Sequence, residues 1–204
     1  MNWLAHVLLS KRDVEYQLGN LLADPMKGRV WDGAPQSIEQ GMLMHKAIDA
    51  FTDSHAVVAK SKSRFEFKGY LKGVVVDLLY DHFLAVHWQS FSETPLDNML
   101  AIFHQESDLL IADFPPKAHR VISRVIETNM LGSYAEFSGF VAALLRVELR
   151  LSDRIKAKDS MNHYVPTIES TYEQFESDFL QFFPQLIEHF KNHPLGSQSN
   201  NYLI

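Results

Sequence analysis

The chain contains no cysteine. That absence excludes a disulfide framework, a thiolate nucleophile and a cysteine-ligated zinc site, and it points to the cytoplasm as the compartment. An excess of positive charge is also lacking. Nineteen Lys and Arg against 25 Asp and Glu leave a net charge of −6, which argues against a broad cationic face for nucleic acid. Long hydrophobic runs are missing as well. The most apolar stretch, Val74 to Trp88, is broken by Asp77, Asp81, His82 and His87, short of the roughly 18 apolar residues a membrane span requires. The opening MNWLAHVLLS has no basic start and carries His6, unlike a signal peptide. No glycine-rich phosphate loop and no GxSxG elbow occurs, so P-loop and serine-hydrolase chemistry have no support.

What is present is an ordinary globular composition, 204 residues with 46% hydrophobic and 22% charged, enough to bury a full core. Apolar residues recur at helical spacing, with no alternating run to suggest strands, so the fold class is all-α. The pattern predicts helices over Asn2 to Ser10, from Val14 until Pro25, and from Ser37 to Thr52 with Ser37 and Gln40 as a capping box. A basic segment from Lys60 to Lys72 follows. Further helices are expected over Leu71 to Trp88, from Thr94-Pro95 to Phe114-Pro115-Pro116, and over Lys117 to Asn129, Tyr134 to Arg154 and Thr167 to Lys191. Residues 1–193 read as one helical domain, and 194–204 as a loose polar tail.

Ten histidines are many for this length, and several stand near aspartates. His45 and Asp49 lie four apart, about 40° around a helix axis, and so present an imidazole and a carboxylate on one face, as a divalent cation needs. An ordinary polar pair on a solvated face has the same spacing. Asp81 and His82 are adjacent within LLYDHFLAVHW, so at least one must face the core or a cavity, as an internal Asp-His hydrogen bond or as a metal ligand. Together His6, Asp24, His45, Asp49, Asp81 and His82 form an inventory of nitrogen and oxygen ligands suited to Mn²⁺, Mg²⁺ or Fe²⁺ rather than to structural zinc.

Arg146, Arg150, Arg154 and Lys158 recur every four residues and form a ridge if their helix runs that far, with Arg120 and Arg124 as a shorter one. Such stripes are usually solvated surface. The alternative is docking of an acidic protein or a phosphate-bearing ligand.

Four segments in order, MNWLAH, GNLLAD, MHKAIDAFTD and YDHFLAVHW, resemble bacterial acyl carrier protein phosphodiesterases, and the run TYEQFESDFLQFFPQL resembles that family's last helix. The resemblance implies an atypical HD-type phosphohydrolase, a helical bundle that hydrolyses the phosphodiester joining 4'-phosphopantetheine to a serine of holo-acyl carrier protein, with Mn²⁺ first and Mg²⁺ or Fe²⁺ as alternatives. It implies His6, Asp24, His45 and Asp81 as metal ligands, Asp49 and His82 as catalytic groups, and Asn20, Arg150 and Arg154 as substrate-binding residues. Pro25 after Asp24 departs from the family pattern, as does Asp153 in LSDRIK, where a basic residue is usual. Two rival readings remain at this point: an HD-type hydrolase of a nucleotide or small phosphate ester, and a non-catalytic helical protein that binds an acidic partner.

Overall fold

Helical spacing is realised throughout: the computed structural model, which describes residues 1–204, holds α-helices, short 3-10 turns and no strand. In chain order the helices are α1 (Trp3–Leu9), α2 (Val14–Leu22), α3 (Gln36–Ser54), α4 (Ala56–Ser63), α5 (Lys72–Val86), α6 (Leu96–Leu110), α7 (Pro116–Glu127), α8 (Phe137–Arg150), α9 (Asp153–Lys156), α10 (Val165–Ser170) and α11 (Tyr172–Lys191). No helix is long and apolar enough to cross a membrane.

Helix α5 is apolar on nearly every side and passes through the middle of the bundle, burying an unbroken run from Leu78 to Ala85. A central helix has no solvated face, and for that reason both Asp81 and His82 are buried. Helix α11 covers one flank with Phe175, Phe179, Phe182, Phe183, Leu186 and Phe190, spaced three and four apart along a single stripe. Asp178 shares that buried stripe. It is compensated by Arg64 Nε at 2.7 Å, Lys60 Nζ at 2.9 Å and the Ser61 hydroxyl at 2.9 Å, a set that fastens α4 to α11.

The backbones of α2 and α3 approach each other closely. A Cβ on Gly19 would lie 2.1 Å from Ile38 O, and one on Gly41 would lie 2.1 Å from Tyr16 O. Only glycine permits that approach, and it brings the end of α2, with Asn20 and, two residues past the helix, Asp24, against the middle of α3, with His45 and Asp49.

Several boundaries differ from the sequence expectation. Helix α3 starts at Gln36 behind Pro35, and no side chain caps it, so the Ser37 and Gln40 box does not form. The start of the basic segment, Lys60 to Ser63, is the end of a helix, α4. The helix expected from Tyr134 to Arg154 is interrupted at Leu151, whose ψ is 146°, and the ridge of Arg146 and Arg150 therefore does not continue to Arg154 and Lys158. The chain turns back there so that Glu148 accepts from Ser160 and Met161, while buried Asp159 accepts from the N–H groups of Tyr70 and Leu71. The final helix starts at Tyr172, separated from α10 by Thr171. The tail is not loose: Tyr202 is buried, Ile204 N–H donates to Phe91 O at 3.0 Å, and Asn200 O accepts from Arg12 N–H at 2.9 Å.

Candidate metal centre and the cleft beside it

Two helices bring His6, His45 and Asp49 together so that one ligand atom from each lies within 4.8 Å of the others. Helix α1 supplies His6 and α3 supplies both His45 and Asp49. The two imidazoles stack, with centroids 4.1 Å apart. Asp49 stands between them: its Oδ1 is 3.2 Å from His6 Nε2 and its Oδ2 is 3.1 Å from His45 Nε2. Asp24, just past α2, adds a fourth donor, with Oδ1 3.4 Å from His45 Nε2. Its side chain is 79% exposed whereas His6 is fully buried, so the cluster opens to solvent on the Asp24 side.

The state of His6 follows from its neighbour. The Asn20 amide nitrogen donates to His6 O at 3.1 Å and to Ser10 Oγ at 2.9 Å, which orients the Asn20 carbonyl oxygen toward His6 Nδ1, 2.7 Å away. Nδ1–H then donates to it, and Nε2 presents a lone pair to Asp49 Oδ1 and to Met1 O, each 3.2 Å away. Burial holds the His6 pKa below its ordinary 6.5, although Asp49 pulls the other way, so the ring is neutral near pH 7. Two lone pairs 3.2 Å apart repel unless a cation sits between them.

At His45 such hydrogen bonds are missing altogether. Neither of its ring nitrogens makes a directed hydrogen bond, although both are buried. Burial opposes its charge, but Asp24 and then Asp49 outweigh burial and raise its pKa to about 9. Asp24 is lowered chiefly by His45; Asp49, which burial alone would raise, is held well below the carboxylate range by His45 and His6. Buried imidazole nitrogens facing ionised carboxylates without hydrogen-bond alignment form a donor set of two nitrogens and up to three oxygens, which fits a divalent cation of the Mn²⁺ or Mg²⁺ kind.

The other expected site residues lie as follows. Asp81 is fully buried, and both its oxygens are occupied: Oδ2 accepts from Leu4 N–H at 2.7 Å and Oδ1 from Ala5 N–H at 3.2 Å. Since α1 has no side-chain cap of its own, Asp81 caps it from another helix, one layer behind His6. Burial, resisted by those N–H groups, lifts its pKa to about 7. Asn20, expected at the substrate, is buried and spends its amide on His6 and Ser10. His82 is turned about 100° from Asp81 around α5 and is bonded elsewhere, through Nδ1 to Tyr134 O and through Nε2 to Tyr172 OH, both at 2.7 Å. None of its hydrogen bonds reaches the cluster. Arg154 is exposed on α9, beyond the break at Leu151. Asp77, one turn before Asp81, had no motif to mark it except that four-residue spacing; its Oδ1 is 3.0 Å from the Met1 amino group, which is itself 3.9 Å from Asp49.

Beside the open edge of the cluster runs a cleft of about 540 Å³ whose lining includes Asp24, Trp3, Arg120, Arg124 and Arg150. Arg120 and Arg124 are the shorter ridge of the sequence, here turned to a concavity rather than to open solvent. Lys117 Nζ donates to Pro25 O and so pins the Asp24 turn to α7, which carries those arginines.

The model of the family described as acyl carrier protein phosphodiesterase matches residues 1–186 of this chain. A protein of that name from Pectobacterium atrosepticum is 30% identical over 191 residues, 92% of this chain and 96% of the relative. One from Enterobacter sp. strain 638 is 28% identical over 197 residues, 96% of this chain and all of the relative. One from Escherichia coli O6:K15:H31 is 26% identical over 190 residues, 92% of this chain and 96% of the relative. No solved structure matches the chain.

Proposed function

The chain belongs to the acyl carrier protein phosphodiesterase family, and we propose that its His6, His45 and Asp49 cluster, with Asp24, is the centre at which holo-acyl carrier protein loses 4'-phosphopantetheine. Hydrolysis of a phosphate ester is the established chemistry of the family name and fits the cluster. The single observation that carries the site is the pair of imidazole nitrogens held 3.2 Å and 3.1 Å from the two oxygens of one carboxylate with no hydrogen-bond alignment at His45.

His6, His45, Asp49 and Asp24 would hold a divalent cation, Mn²⁺ in our reading, which would supply positive charge against the phosphate and lower the pKa of bound water toward neutrality. The protein's own groups do the rest. Asn20 holds His6 in the tautomer that leaves Nε2 unprotonated, and Asp81 anchors the start of α1 so that His6 keeps its place. Asp49 joins the two histidines, and Asp24 stands at the solvent edge, where an incoming phosphodiester arrives. His82, tied to Tyr134 and Tyr172, supports α5 rather than the leaving group. The helical His and Asp ligands are what favours the HD-type reading of the bundle, with residues 1–193 as one catalytic domain in the cytoplasm.

Intact-mass analysis of holo-acyl carrier protein incubated with enzyme and Mn²⁺ tests this. The wild type is expected to remove the phosphopantetheine mass, and Asp49→Ala and His45→Ala to slow that loss by more than about a hundredfold, beyond the roughly 10–100-fold typical of groups that only orient a ligand. An unchanged carrier mass with the wild type, or turnover of free nucleotides alone, rejects the assignment.

A further inference from the structure

The cleft beside Asp24 is more than an entrance. Helix α7 presents Arg120 and Arg124 to it from one side and α8 presents Arg150 from the other, while Val74, Val121 and Val147 supply apolar wall. It narrows into an inner chamber of about 60 Å³, which shares Trp3, Met130, Val147 and Arg150 with the cleft and is closed by Arg146 and Tyr134. The Arg146 Nη2 atom is buried there without any hydrogen-bond partner. A buried guanidinium donor with no partner in the protein needs an acceptor from water or from a ligand that displaces it. Arginines from two helices around a concavity with apolar walls suit a phosphate followed by a chain that is partly aliphatic and partly amide.

We propose that this cleft binds the phosphopantetheine arm itself: Arg120, Arg124 and Arg150 take the phosphate next to Asp24, and the arm runs inward along the valines until one of its carbonyl oxygens accepts from Arg146. This rests on the reading of the cluster as the centre that cleaves phosphopantetheine from its carrier. The enzyme then recognises the arm as well as the acidic carrier, and its arginines divide accordingly. Those of the cleft read the arm, while exposed cations outside it, such as Arg154 and Lys158, are left for the carrier surface.

Equilibrium binding by calorimetry to the full chain, with and without Mn²⁺, separates these roles without relying on turnover. The probes are 4'-phosphopantetheine, which is the arm alone, and apo-acyl carrier protein, which is the carrier without the arm. Arg124→Ala, Arg150→Ala and Arg146→Ala are each expected to weaken 4'-phosphopantetheine binding about tenfold or more, as loss of a hydrogen bond to a charged partner does, and to leave apo-carrier binding within about twofold. Arg146→Lys, which keeps the charge at the chamber, guards against a variant that fails to fold and is expected to retain more affinity than Arg146→Ala. Equal binding of 4'-phosphopantetheine by wild type and all variants, or no binding by the wild type, overturns the proposal. So does a parallel loss of apo-carrier binding, which would make the cleft a carrier-docking surface. If the wild type binds 4'-phosphopantetheine through these arginines yet leaves holo-carrier mass unchanged, the functional assignment fails and the cleft stands.

Discussion

At the residue scale, proton inventory decides what the cluster binds. His45 has a pKa raised to about 9 from 6.5, so in the metal-free protein it carries a proton at neutral pH. Because the folded value lies above the unfolded one, that proton stabilises the metal-free fold fully below about 6.5, and the contribution fades as pH rises through about 9. A metal ion must displace the proton. Apparent Mn²⁺ affinity is therefore expected to rise about tenfold per pH unit across the neutral range, as for any site that releases one proton on binding. Titrations with Mn²⁺ at several pH values check this, and a flat profile would show that His45 is already neutral. Asn20→Ala is expected to weaken Mn²⁺ binding roughly 10–100-fold while leaving the ligands themselves in place, because it frees the His6 ring. The four-residue spacing of His45 and Asp49 was legible as a possible ligand pair. The work of Asn20 and Asp81 was not, since a hydrogen bond to a residue 14 or 76 positions away leaves no local pattern.

At the element scale, the contact between α2 and α3 governs whether Asp24 meets His45. Propensity alone says that Gly41→Ala should stabilise the helix by about 1 kcal/mol. The structure says the opposite, because the added methyl would meet Tyr16 O at 2.1 Å and Asn20 N at 2.8 Å, both backbone atoms that cannot swing aside. The expected net effect is a loss of about 1–3 kcal/mol, or several degrees in Tm at roughly 2–4 °C per kcal/mol, together with weakened Mn²⁺ binding. Thermal denaturation decides the sign; a Tm that rises would mean that the helices do not touch as described. Helix existence was readable from apolar periodicity, as α5 and α11 illustrate. Helix ends were less so. The break at Leu151 has no proline or glycine to announce it and depends on Glu148 and Asp159 finding partners across a turn.

At the scale of the whole molecule, the proposed function requires a protein of net charge −6 to meet a strongly acidic carrier through local cationic surface. The KM for holo-acyl carrier protein is accordingly expected to rise roughly tenfold between about 0.05 and about 0.3 M salt, as exposed ion pairs are screened, with kcat little changed. Steady-state kinetics across that range tests it, and a KM indifferent to salt removes the electrostatic docking. What the sequence determined by itself is chemistry and class: helices from periodic apolar residues, no thiol, a stock of imidazoles and carboxylates, and a family whose segments recur in order. These are properties of residue type and near-neighbour spacing, which survive without knowledge of the fold. Only the tertiary structure decided that His6 faces Asp49, that Asp81 caps a helix, that His82 bonds to Tyr134 and Tyr172, and that two arginine ridges separated in the chain close on one cleft. Such assignments depend on how helices distant in sequence pack against one another, and a direction in space is not encoded in any single stretch of chain.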